Sequence, residues 1–249
     1  MTLRTLWIAT QFLTRLPTPA VKEFSARELS HSALWFPLVG AVVGAIVMVL
    51  VLAVRELSVP LAAALGVIAW VVLTGALHLD GLADLTDALA ASHRDPQRFF
   101  EVLKDPHVGT FGAVSIGLVL LLKFAALAEL PGMVLLALPL AAAWARFGPL
   151  VWSCWLPTLS PGQGERFAWS LSGRTLVFWT VVLLAASALV VPSMCLALLV
   201  LAAWGAWLRW RLGGATGDCL GAGVEITECA LLVVLAIFSE PGPLLLRLI

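Results

Sequence analysis

The chain has 249 residues, 61% of them apolar and only 12% charged, with 15 Lys+Arg balancing 15 Asp+Glu. Its mean hydropathy is +1.01, far above a soluble domain, which is about 25% charged. This excludes an ordinary cytosolic enzyme, a secreted domain, a disordered chain and a nucleic-acid binder working by bulk positive charge. The composition is that of a polytopic membrane protein, and its eleven Trp with no Tyr suit indoles near the bilayer interface.

In chain order, residues 1–32 open with an apolar run interrupted by Gln11 and Arg15. That pattern fits a signal peptide poorly, whereas Trp7, Phe12, Leu13 and Leu16 fit an amphipathic helix at the interface. Seven segments then approach the ~20 apolar residues that a crossing needs: 33–54, 61–79, 111–130, 132–154, 176–192, 193–208 and 223–238. The last three are short, so six to eight crossings are expected. Pro131 with Gly132, and Pro192, mark tight turns between neighbours. The four cysteines have no C-x-x-C spacing and read as reduced thiols. The fold class expected is all-α, a single transmembrane helical bundle over 1–249.

With the N-terminus inside, Arg4, Arg15, Lys22, Arg27, Arg94, Arg98, Lys104, Arg166, Arg174, Arg209 and Arg211 all fall on the cytoplasmic side, against only Arg55 and Arg247 outside. That is the positive-inside bias. The acids sort the same way, with only Glu56, Glu129 and Glu240 outside. Acids contribute little to orientation, so their clustering points to function. Two cytoplasm-facing segments, 80–110 and 209–228, are the expected site.

In the first, Asp80, Asp84 and Asp87 stand at i, i+4 and i+7, within about 60° of one another on a helix. Poorly solvated carboxylates on one stripe repel, and a hard divalent cation, Mg²⁺ or Mn²⁺, offsets them. His78 and Gly81 lie beside the stripe. In the second, glycines at 213, 214, 217, 221 and 223 accompany Asp218, Glu225 and Glu228, a pattern that suits phosphate and metal but lacks the G-K-[ST] of a P-loop. Gly214 and Gly217 are candidate phosphate-binding positions, and the three acids extend the metal set. Between the two, Asp105 and His107 form an acid–His turn, His107 being a candidate general base and Asp105, with His78 and Gly81, a candidate substrate- or phosphate-binding residue. Lys123 and Arg146 lie within apolar spans, where a charge by default marks a site or an ion pair. Both are candidate catalytic groups: Arg146 is suited to clamping phosphate, and Lys123 is equally suited to pairing with an acid. Metal-assisted phosphoryl transfer at the membrane face is the natural chemistry.

Five stretches carry a resemblance: FLTRLP (12–17), FPLVGAVVG (36–44), LHLDGLADLTDA (77–88), DPHVGTFG (105–112) and GGATGDCLGAGVEITE (213–228). Together, and in this order, they resemble the cobalamin synthase family, the adenosylcobinamide-GDP ribazoletransferases. The resemblance implies an integral inner-membrane enzyme that uses Mg²⁺, with its site facing the cytoplasm. It would transfer a substituted phosphate group: the ribose 3′-hydroxyl of α-ribazole, or of its 5′-phosphate, attacks the cobinamide-side phosphorus of adenosylcobinamide-GDP and expels GMP. Its partners would be those two small molecules and membrane lipid, with no nucleic acid. A homo-oligomer or an association with other cobalamin-assembly enzymes is compatible with it. Asp80, Asp84, Asp87, Asp218, Glu225 and Glu228 match the acidic blocks, and Asp105 begins another. The chain departs from the family pattern at Ala88, at Cys219 and at Pro106–His107, where an arginine is common and histidine cannot clamp bidentately.

The alternatives are a CDP-alcohol phosphatidyltransferase, whose D-G-x-x-A-R pattern fails here because position 84 is Asp, and a metal- or proton-coupled transporter. A transporter would place its acids near the midplane.

Overall fold

A computed structural model describes residues 2–93, 95–160 and 173–238. Arg94, Arg166, Arg247 and Glu240 of the charge argument lie outside the described residues. The described residues form helices with no strand, only a single parallel bridge between Thr158 and Ala215. The helices are α1 (Leu3–Leu13), α2 (Ala26–Ser32), α3 (Phe36–Arg55), α4 (Val59–Thr74), α5 (Leu77–Ser92), α6 (Pro96–Leu103), α7 (Thr110–Glu129), α8 (Leu138–Trp155), α9 (Gly173–Val190), α10 (Ala197–Leu212) and α11 (Gly217–Ile237).

Six stretches are long and apolar enough to cross a membrane: Arg27–Arg55, Thr110–Glu129, Val134–Trp155, Gly173–Val190, Pro192–Leu212 and Gly217–Ile237. The pair α4–α5, bent by 88°, forms a broken span or a re-entrant loop, giving six or seven crossings among the described residues. The last three crossings are thus longer than expected. Short 3₁₀ turns at Val134–Ala137 and Pro192–Leu196 follow the predicted Pro signals and feed directly into their helices.

The expected span 61–79 is corrected. Its helix stops at Thr74 because Gly75 (φ 61°) and Ala76 (φ 59°) both adopt the left-handed region. Glycine does so freely, whereas alanine is strained there by about 1–2 kcal/mol. The Arg15 backbone N–H donates to the Leu73 carbonyl at 2.7 Å, satisfying one orphan at the break. The turn swings α5 across α4 and carries the acidic stripe with it.

The N-terminal segment, expected at an interface, packs into the helical core. Ile8, Ala9 and Leu13 are buried, and Phe12 stacks on Phe36 with ring centroids 6.0 Å apart. The Gly40-x-x-x-Gly44 stretch is a packing device: a Cβ at either glycine would overlap the Ala142 or Leu138 carbonyl of α8, so α3 and α8 approach at backbone distance. Three indoles serve the core instead of an interface. Trp70, Trp144 and Trp152 are buried, and each donates its indole N–H, to Glu228, Ser187 and the Leu201 carbonyl respectively. Among the described residues, Trp155 and Trp210 are exposed. The four cysteines are unbridged.

Candidate active site

The site forms where α5 crosses the start of α11, and small residues bring the two backbones together. A Cβ on Gly81 would sit 3.0–3.1 Å from the Asp218 backbone, and one on Gly221 would meet the His78 backbone at 3.6 Å. Thr216 caps α11, its hydroxyl accepting from the Cys219 N–H at 3.3 Å, and Asp218 sits in the first turn. An acid there is favoured by the helix dipole.

The crossing opens onto a cavity of about 370 Å³. Asp80, His78, Gly81, Gly217 and Asp218 line it together with Ser153, Thr158, Ser160 and Thr216, over an apolar floor that includes Phe12, Phe36 and Leu220. Asp84, one turn along α5, is partly buried and lies within electrostatic reach of Asp80, Asp218 and Asp87. No Lys or Arg among the described residues lines this cavity, and none forms an ion pair with Asp80, Asp84 or Asp218. The His78 ring is 4% exposed, and its Nδ1 has no hydrogen-bond partner among the described residues. A buried orphan nitrogen on a cavity wall is costly unless a ligand satisfies it.

The structure separates the six acids expected to act as one set. Glu225 and Glu228 are buried lower on α11 and are already neutralised. Lys123 Nζ donates to Glu225 at 2.7 Å and also to Glu228. Arg146 and the Trp70 indole bond the other Glu228 oxygen, the latter at 2.9 Å. The structure thus places Glu225 and Glu228, expected as metal ligands, in a buried network off the cavity lining, where Lys123 bonds one Glu225 oxygen and three donors share the two Glu228 oxygens. The same geometry corrects Lys123 and Arg146 as catalytic or phosphate-binding groups. Neither lines the cavity, and both are committed to this network of two cations and two anions.

Asp87 is corrected for a similar reason. Its carboxylate accepts from the Gly109 N–H at 2.7 Å and the Gly112 N–H at 2.8 Å, capping α7, which has no side-chain cap of its own. Replacing Asp87 with Ala should cost about 1–2 kcal/mol of stability, as for other lost caps. Turnover of the folded fraction should fall far less than for changes at Asp80. Thermal unfolding in detergent beside a turnover assay separates the two effects.

His107 and Asp105 lie apart from the cavity. The His107 ring bonds Asp105 at 2.7 Å and is 88% exposed. Hydrogen bonds from the His107 ring and backbone N–H hold the Asp105 carboxyl below its usual range. General-base work by His107 and phosphate binding by Asp105 gain no support from this geometry, since neither residue lines the cavity. His107→Ala should leave kcat and KM within about twofold, the usual scale of a surface change; steady-state kinetics checks it.

The glycines of 213–223 also divide by role. Gly213 ends α10 with φ 79°. Gly214 is packed against the Pro157 carbonyl, and Gly223 against Trp152 and Trp204, so the phosphate-binding role expected of Gly214 is corrected to backbone packing. Gly217 alone of the two phosphate candidates faces the cavity, with nothing within 4 Å of its Cβ position. Thr158 and Ser160 carried no signal in the sequence, since a loop of type L-P-T-L-S has no period and its approach to Ala215 is long-range; Ser153, in α8, is a single hydroxyl in an apolar helix.

Asp80, Asp84 and Asp218 offer hard oxygen donors with no protein cation opposite them. Among the described residues no three acid, His or Cys side chains close into a metal cage. An open carboxylate stripe suits Mg²⁺, which usually takes one or two carboxylates and keeps positions for water and phosphate oxygens. The donor chemistry fits.

The model of the family described as Cobalamin-5-phosphate synthase matches residues 5–236. The chain is 44% identical over 237 residues to the adenosylcobinamide-GDP ribazoletransferase of Thiobacillus denitrificans, covering 93% of this chain and 94% of that one. It is 44% identical over 244 residues to that of Laribacter hongkongensis (97% and 100%), and 43% identical over 244 residues to that of Pseudomonas aeruginosa (94% and 98%). No solved structure matches.

Proposed function

The chain belongs to the cobalamin-5-phosphate synthase family, and we propose that the cavity at the crossing of α5 and α11 is where its reaction takes place. The protein is a multi-pass membrane transferase of cobalamin assembly. It joins α-ribazole or its 5′-phosphate to adenosylcobinamide-GDP and releases GMP. The family match displaces the phosphatidyltransferase and transporter readings.

One observation carries the placement. Asp80, Asp84 and Asp218 converge beside a cavity that no Lys or Arg among the described residues lines, while the other grouped acids are paired or capping a helix. A diphosphate, itself anionic, enters such a site only with a divalent cation. Mg²⁺ held by Asp80, Asp84 and Asp218 would neutralise the diphosphate oxygens and the charge that develops on the leaving phosphate. The first-turn N–H groups of α11 around Gly217 and Asp218 point to where an anion is favoured. The His78 Nδ1 is free to bond a substrate polar group there.

The acceptor ribose 3′-oxygen forms a bond to the cobinamide-side phosphorus, and the bond from that phosphorus to the bridging oxygen breaks. GMP departs with that oxygen, and the hydroxyl proton passes to solvent. The apolar floor of Phe12, Phe36 and Leu220 limits water near the reacting phosphorus, which favours the ribose hydroxyl over hydrolysis. We place the protein in the inner membrane with this cavity facing the cytoplasm, on the positive-inside bias.

The test is a mass-resolved assay on detergent-purified protein with adenosylcobinamide-GDP, an α-ribazole acceptor and Mg²⁺. Joint appearance of GMP and the joined corrinoid is expected. GMP without the joined corrinoid would contradict a transferase.

A further inference from the structure

Beside the first cavity lies a second, of about 230 Å³. The partition between them is thin. The Leu159 N–H donates to the Ala215 carbonyl and the Ala215 N–H to the Pro157 carbonyl, each at 2.9 Å. Thr158 and Ser160 face the first cavity, Leu159 the second, the alternation of an extended segment. A molecule gripped in the second cavity can therefore present a distal group at the first.

The walls of the second cavity are apolar, including Phe99, Phe100, Leu159 and Leu212, with Arg211 and Asp95 as its charges. Phe99 and Phe100 meet edge to face at 5.3 Å. Asp95 caps α6 by accepting the Gln97 N–H at 2.9 Å. Arg211 is partly buried and makes no ion pair or hydrogen bond among the described residues. Among the described residues it is also the one Lys or Arg lining either of these two cavities. The space is suited to a ring and its phosphate and far too small for a corrinoid.

The family description names a 5-phosphate product, so the acceptor carries a phosphate that takes no part in the bond exchange. We infer that the second cavity is the acceptor subsite, with Arg211 binding the non-reacting phosphate monoester and the Phe99–Phe100 wall receiving the planar base. This rests on the transferase reading and goes beyond it. The reacting diphosphate and the spectator phosphate are held on opposite sides of one backbone pairing, by opposite electrostatic means. Arg suits the task because its planar fork bonds phosphate bidentately.

The experiment compares kcat/KM for α-ribazole 5′-phosphate and for α-ribazole in wild type, Arg211→Gln and Arg211→Lys, in nanodiscs. In Arg211→Gln the preference for the phosphorylated acceptor should fall at least about tenfold, one charge-assisted bond's worth. Arg211→Lys should restore part of it, and the KM for adenosylcobinamide-GDP should stay within about twofold. In the wild type, inorganic phosphate should compete with the phosphorylated acceptor and not with the nucleoside, which tests the subsite without any variant. An unchanged acceptor ratio, or phosphate inhibition equal for both acceptors, overturns the inference. So does a loss that strikes both acceptors alike and follows the anionic-lipid content of the nanodisc, which would give Arg211 to a lipid headgroup. A wild type that turns over neither acceptor overturns the transferase reading first, and this inference with it.

Discussion

Asp80→Asn and Asp218→Asn are each expected to lower turnover by about a hundred- to a thousandfold, the loss seen when one preorganised electrostatic group is removed from a transition state. Both side chains line the cavity and neither has a protein cation opposite it. The substitutions keep shape and remove charge, so the folded state should be at least as stable, like charges on α5 and α11 having been relieved. Raising Mg²⁺ should recover part of the loss in the single variants and none in the double variant. Steady-state turnover against Mg²⁺ concentration, with thermal unfolding alongside, checks it. Full activity in the double variant would remove the acid cluster from the reaction.

Glu228→Ala is expected to act on the fold. Glu228 is fully buried and receives Trp70, Lys123 and Arg146, one residue each from α4, α7 and α8. Without it Arg146 loses its carboxylate partner and the Trp70 N–H is orphaned, while Lys123 keeps Glu225. Breaking a buried ion pair by removing one partner costs about 3–5 kcal/mol. For a chain of this size that is a fall in Tm of roughly 6–20 °C. Removing the stranded charge as well, in Glu228→Gln with Arg146→Gln, should recover part of the stability. Thermal unfolding in detergent reads both. Normal stability with abolished turnover would instead return Glu228 to the chemistry.

The membrane helices were legible because hydropathy over ~20 residues is a summed signal that one polar side chain does not erase. The break in the second span was not, since Ala76 in a left-handed conformation leaves no trace in composition. The stripe of Asp80, Asp84 and Asp87 was legible from helical period alone. The division of labour among the acids was hidden. Asp218 and Glu225 share a face of α11, so period cannot separate them, and what separates them is Lys123, 102 residues away in the chain. Asp87 likewise owes its role to Gly109 and Gly112, 22 and 25 residues on. The two intramembrane cations announced a site or an ion pair, and tertiary packing made them the latter. Arg211, counted only as a topogenic charge, drew no notice because a cation at the cytoplasmic end of a span is common.

The most direct test of the central claim is Mn²⁺ binding, in place of Mg²⁺, followed by electron paramagnetic resonance with adenosylcobinamide-GDP present. Wild type should hold Mn²⁺ in the ternary complex, and the Asp80→Asn/Asp218→Asn double variant should lose it. The Glu225→Gln/Lys123→Gln variant, provided it folds, should keep it. Mn²⁺ binding that survives loss of the aspartates and disappears with Glu225 would place the metal in the buried network and contradict the site described here.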